Sequence, residues 1–133
     1  MKKVILILGL LITISFGATL EEATIAYNKG DYQTSKTIFE DLASKGDATA
    51  QYNLGVMYDF GKGVKQDYFK AKEWYEKAAN QGHVVAQFNL GVMYDFGKGV
   101  RQDYSKAKEW YEKAAVHISE LPDSDAGVVP DTF

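Results

Sequence analysis

Cysteine is absent from all 133 residues. This excludes disulfide bonds, thiolate metal ligands and the lipid-modified cysteine of a lipoprotein anchor, so the fold must stand on side-chain packing alone. Histidine is scarce. His83 and His117 have no carboxylate cluster at ligand spacing, and a zinc site needs about three or four ligands. They read as surface or end-of-helix residues, and no metal or cofactor is expected. A basic excess is missing too: 15 Lys and Arg against 18 Asp and Glu leave a net charge of −3. That argues against nucleic acid, which needs a basic footprint. The one long apolar run, Val4 to Phe16, is too short for a membrane span of about 20 residues.

That run follows the basic start Met1-Lys2-Lys3 and precedes the small residues Ser15 and Gly17. Residues 1–17 therefore read as a bacterial secretory signal, cut after Gly17 or Ala18, with an uncleaved N-terminal anchor as the alternative. Loss of Lys2 and Lys3 takes the net charge from −3 to −5. The expected location is periplasmic or secreted, with no stable membrane span after cleavage. The remaining chain is rich enough in apolar and aromatic residues to build one small domain.

The dominant signal is a repeat. QYNLGVMYDFGKGVKQDYFKAKEWYEKAA (51–79) recurs as QFNLGVMYDFGKGVRQDYSKAKEWYEKAA (87–115), identical at 26 of 29 positions and offset by 36 residues. A fixed period of this size signals a stacked array. An older copy lies upstream, where Asp31, Tyr32, Lys36, Ala43 and Gly46 match Asp67, Tyr68, Lys72, Ala79 and Gly82. Each unit reads as helix A, loop, helix B. Ala50, Leu54, Met57 and Tyr58 share one face of helix A. Ala71, Trp74, Tyr75, Ala78 and Ala79 make the matching stripe on helix B. Asp67 and Asp103 are N-cap residues, and Thr19 with Glu22 is a capping box for the first helix. Gly46 and Gly82 stop helix B, and Gly55 marks a close helix approach. The expected fold is an all-α solenoid of three helical hairpins. Its parts are a leader (1–17), a degenerate first hairpin (18–49), repeats at 50–85 and 86–118, and an irregular tail (119–133).

The loop YDFGKGV contains D-F-G and G-K-G, which suggest kinase and phosphate chemistry. Neither fits. The other kinase motifs are missing, and a helix rather than a strand precedes the glycines. Gly61 and Gly63 instead let the chain reverse, with Val64 tucked back onto the hairpin.

Ala50, Leu54, Gly55, Tyr58, Gly61, Gly63, Val64, Asp67, Lys70, Ala71, Trp74, Tyr75, Lys77, Ala78, Ala79 and Gly82, repeated from Ala86 through Ala115, closely resemble the Sel-1-like repeat (SLR), a relative of the tetratricopeptide repeat. The resemblance implies a right-handed α/α superhelix and an adaptor or scaffold role in protein complexes. Some secreted bacterial members are named penicillin-binding or β-lactamase-like proteins, several with one disulfide per repeat.

For chemistry, Ser105-Lys106-Ala107-Lys108 fits S-x-x-K, but the sibling repeat has Phe69 at the serine and no companion S-D-N or K-T-G appears. The chain therefore points away from an enzyme; a β-lactamase-like hydrolase is implied by family resemblance alone. Glu73 with Lys77, and Lys72 with Glu76, read as a solvated, ion-paired helix face. The binding candidates lie on helix A. Asn53 and Asn89 recur on an otherwise apolar helix and could hydrogen-bond an extended peptide. Gln51, Gln87, Tyr58 and Tyr94 could line the same concave groove. The alternative is that the asparagines hold neighbouring turns of the stack together. Beyond Ala115 no further helix A follows, and Pro122 and Pro130 oppose more helix. The edge around Trp110 and Ala114 is thus expected to be exposed. The tail, a protein partner or a second copy through self-association would cover it, or the array is a shortened one.

Overall fold

Thr19 starts the first helix as the sequence predicts: its Oγ1 accepts from the Glu22 N–H at 3.2 Å, and Glu22 accepts from the Thr19 N–H at 3.0 Å. The structure is a computed structural model that describes residues 17–119. The expected leader and tail lie outside the described residues except for Gly17 and Ser119. Six helices follow in order among the described residues: α1 (Leu20–Asn28), α2 (Tyr32–Ser44), α3 (Ala48–Phe60), α4 (Tyr68–Asn80), α5 (Val84–Phe96) and α6 (Tyr104–Ser119). They pair as α1/α2, α3/α4 and α5/α6, and each helix packs against its sequence neighbours. The fold is the all-α solenoid of three hairpins.

Short-range chemistry sets the helix boundaries. Asp31, Asp47, Asp67 and Asp103 each accept a backbone N–H of the first turn, at 2.8–3.2 Å, which satisfies donors that no intrahelical carbonyl can reach. Gly61 and Gly97 close α3 and α5 in the left-handed region, with φ of 63° and 67°. There a side chain would be strained.

The core is continuous from hairpin to hairpin. Phe39, Leu54 and Met57 bury between α2 and α3, with Val64 and Trp74 packed on them. Tyr75, Leu90 and Met93 do the same between α4 and α5, with Val100 and Trp110 against them. Gly55 is the contact that lets helix B approach. A Cβ there would lie 2.5 Å from Tyr75 Cδ1, and one at Gly91 would lie 2.5 Å from Tyr111 Cδ1.

At the C-terminal edge the expectation is corrected. Ala114 is buried and Trp110 half-buried, because both face α5. What solvent reaches is the opposite side of α6: Tyr104, Ala115 and Ile118. Their counterparts on α4, Tyr68 and Ala79, lie against the following helix.

Candidate functional site

The repeated loop shows how each residue of D-F-G is used. Asp59 accepts from the Tyr75 hydroxyl at 3.0 Å, and Asp95 from the Tyr111 hydroxyl at 3.3 Å. Burial and the neighbouring Asp59 charge push the Tyr75 phenol far above its usual range, so it stays a donor. The glycine is the helix stop described above. The phenylalanine is left over: Phe60 and Phe96 are 64% and 70% exposed. Two large apolar side chains, one per repeat, therefore stand in solvent at the ends of the A helices.

Of the six helix-A candidates, two are not available to a ligand. Gln51 and Gln87 are buried, and their amides are used within the stack. Gln51 Nε2 donates to the Ala43 carbonyl at 3.4 Å and its Oε1 accepts from Gln81 Nε2 at 2.7 Å. Gln87 Nε2 donates to the Ala79 carbonyl at 3.1 Å. Each glutamine thus adds a second donor to a carbonyl at the end of the preceding helix B that already accepts from the Gly46 or Gly82 N–H, a tie that local sequence does not display. The place of Gln81 is taken by His117 one repeat later, and Gln87 Oε1 is buried without a partner.

Asn53 is half-buried and donates to the Thr49 carbonyl of its own helix at 3.0 Å, which leaves its oxygen as an acceptor. Asn89 is half-buried and faces the hydroxyls of Tyr52 and Tyr75 in the preceding hairpin, favouring their charged forms against burial. Tyr58 and Tyr94, also half-buried, lie away from the asparagines at the loop edge. There they line two adjoining clefts between consecutive A–B loops, of about 920 and 710 Å³.

Two residues gain roles that the sequence analysis did not assign. His83 is the N-cap of α5: its Nδ1 accepts from the Ala86 N–H at 3.2 Å, and its ring stacks on Tyr52 with centroids 4.6 Å apart. Burial holds its pKa below the usual imidazole range, with the nearby Asp47 charge opposing. Lys77 is not paired with Glu73. Its ammonium lies 4.3 Å from the centre of the Trp74 ring, whereas Lys72 and Glu76 do pair, at 2.9 Å. Ser105 is exposed on the first turn of α6, and Lys108 is exposed and near Glu112 at 3.7 Å.

Comparison with protein families matches the Sel1 repeat at residues 48–83 and 84–115. Among solved structures, the chain is similar to a Sel1 repeat protein from Oxalobacter formigenes: 34% identity, TM-score 0.71, covering 74% of this chain and 41% of that one. It is similar to a protective antigen of uropathogenic Escherichia coli strains displaying an SLR fold, with 36% identity and a TM-score of 0.64, covering 73% of this chain and 23% of that one. The cysteine-rich protein B of Helicobacter pylori shares 30% identity at a TM-score of 0.63, with 66% of each chain covered. The chain thus spans less than half the length of the first two. Comparison with curated proteins found no match. No helix among the described residues is long and apolar enough to cross a membrane.

Proposed function

The chain belongs to the Sel1 repeat family, whose members typically mediate protein–protein interaction, and from that premise we propose an exported adaptor that holds a peptide segment or protein partner along its helix-A face. The observation that carries this reading is the pair Phe60 and Phe96: equivalent residues, both mostly exposed, on a scaffold with no internal use for them. An aromatic side chain that a partner desolvates can carry much of the energy of an interface. Asn53, with a free amide oxygen, supplies a polar contact on the same helix. Two weak contacts on one rigid scaffold reinforce each other through effective concentration.

The test compares the wild type with Phe60→Ser/Phe96→Ser as bait for exported proteins, the bait itself being recovered from the exported fraction. The mature N-terminus is expected at Ala18 or Thr19. Proteins crosslinked by the wild type should be lost from the double variant, while far-ultraviolet circular dichroism stays the same. An unchanged set of partners would remove the helix-A ends from the interface.

A further inference from the structure

The larger loop-edge cleft has an apolar floor that includes the half-buried Tyr58, Val64 and Val100, with the exposed Phe69 at its edge, and a cationic rim of Lys65, Lys70 and Arg101. The adjoining cleft extends the positive rim to Lys106. Asp67 and Asp103 also line the clefts, where they cap their helices and offset part of this positive charge, while Asp59 and Asp95 accept from tyrosines. The four ion pairs among the described residues lie along helix bodies, and none uses Lys65, Lys70, Arg101 or Lys106. Lys70 and Lys106 rest instead over the rings of Tyr58 and Tyr94, at 5.3 and 5.4 Å. An apolar cleft whose rim carries more cations than carboxylates fits an acidic segment that carries apolar side chains.

The chain contains such a segment. Residues 120–133, ELPDSDAGVVPDTF, hold Glu120, Asp123, Asp125 and Asp131 and no Lys or Arg. Val128 and Val129 lie between two of these acids. The distance is also compatible. Asp103 and Lys106 at the start of α6 line the adjoining cleft, and α6 runs from Tyr104 to Ser119, a rise of about 22 Å at about 1.5 Å per residue. Val128 is nine residues further on, and an extended chain covers about 30 Å over that length.

We propose that residues 120–133 turn back along α6 and dock in the loop-edge cleft of their own chain. Val128 and Val129 lie on the apolar floor, and Asp125 and Asp131 face the rim cations. Tethering lets weak contacts suffice, because the segment is held near the cleft at high effective concentration. A partner that uses an acidic sequence to bind this edge must displace it.

The absence of cysteine makes the test direct. A nitroxide is attached to Thr132→Cys, the sole thiol in the full-length chain, and amide signals are read by NMR. The expected result is loss of most of the intensity at Val64, Gly97, Gly99 and Val100, with Ala23 unaffected. Intensity should return at about 1 M salt, where the Debye length falls to about 3 Å. It should also return in Lys70→Glu/Arg101→Glu, whose other amide signals stay in place. A second sample mixes nitroxide-bearing chains without ¹⁵N and ¹⁵N chains without nitroxide. Equal broadening there would assign the cleft to a second copy's tail and overturn the proposal. No broadening in either sample would overturn it as well and leave the cleft to a separate protein.

Discussion

His83 stands 36 residues after Asp47, and each caps a helix A. The two caps respond differently to acid. A carboxylate accepts down to low pH, whereas imidazole Nδ1 accepts only while unprotonated. The folded pKa of His83 is depressed, so between it and the unfolded value of about 6.5 the unfolded chain binds more protons. The stability contributed by neutral His83 is therefore full above about pH 6.5 and is lost as pH falls through the folded pKa. Thermal melts from pH 7.5 to 5 should show a fall in Tm that His83→Asp flattens; an equal fall in the variant would assign the dependence elsewhere. This cap was hidden in the sequence because histidine seldom caps helices. Thr19, Asp67 and Asp103 were legible because a carboxylate or hydroxyl placed before a helix acts within three residues of itself.

Between elements, one polar clamp is complete and its repeat is not. Gln51 bridges α2 and the end of α4 through Ala43 and Gln81. Gln87 reaches Ala79 but keeps an unpartnered buried oxygen, since His117 stands in place of Gln81. A net hydrogen bond contributes about 1 kcal/mol, which is roughly 4–8 °C in a domain of this size. His117→Gln is expected to raise the urea midpoint and Tm accordingly. An unchanged midpoint would show that the longer α6 turns position 117 away from the clamp. The sequence did not disclose these clamps. Gln51 and Gln87 lie on amphipathic helices, and which way they face depends on a carbonyl in another hairpin. By contrast, Gly55 was legible, because a glycine inside a strongly helical pattern needs a packing reason, and the Tyr75 ring is that reason.

Over the whole molecule, identical residues are buried differently according to their place in the stack. Tyr75 is fully buried and Tyr111 half-buried; Ala79 is 3% exposed, whereas Ala115 is open to solvent. In a linear array each hairpin is held by its neighbours, so the last has one interface fewer. Native-state hydrogen exchange should therefore show lower protection in α6 than at equivalent amides of α4; equal protection would mean that the array opens as one unit. The period of 36 made the solenoid legible, but not that Trp110 and Ala114 turn inward onto α5. The cationic clefts were not legible either, because each joins residues of one repeat to the A–B loop of the next. The near-identity of the joints also reaches into heredity. Deleting residues 48–83 would set Ala86, Gln87 and Leu90 against α2 where Ala50, Gln51 and Leu54 now sit. Slippage between such similar gene segments can then shorten or lengthen the protein by whole hairpins, and each descendant inherits a joint that already fits.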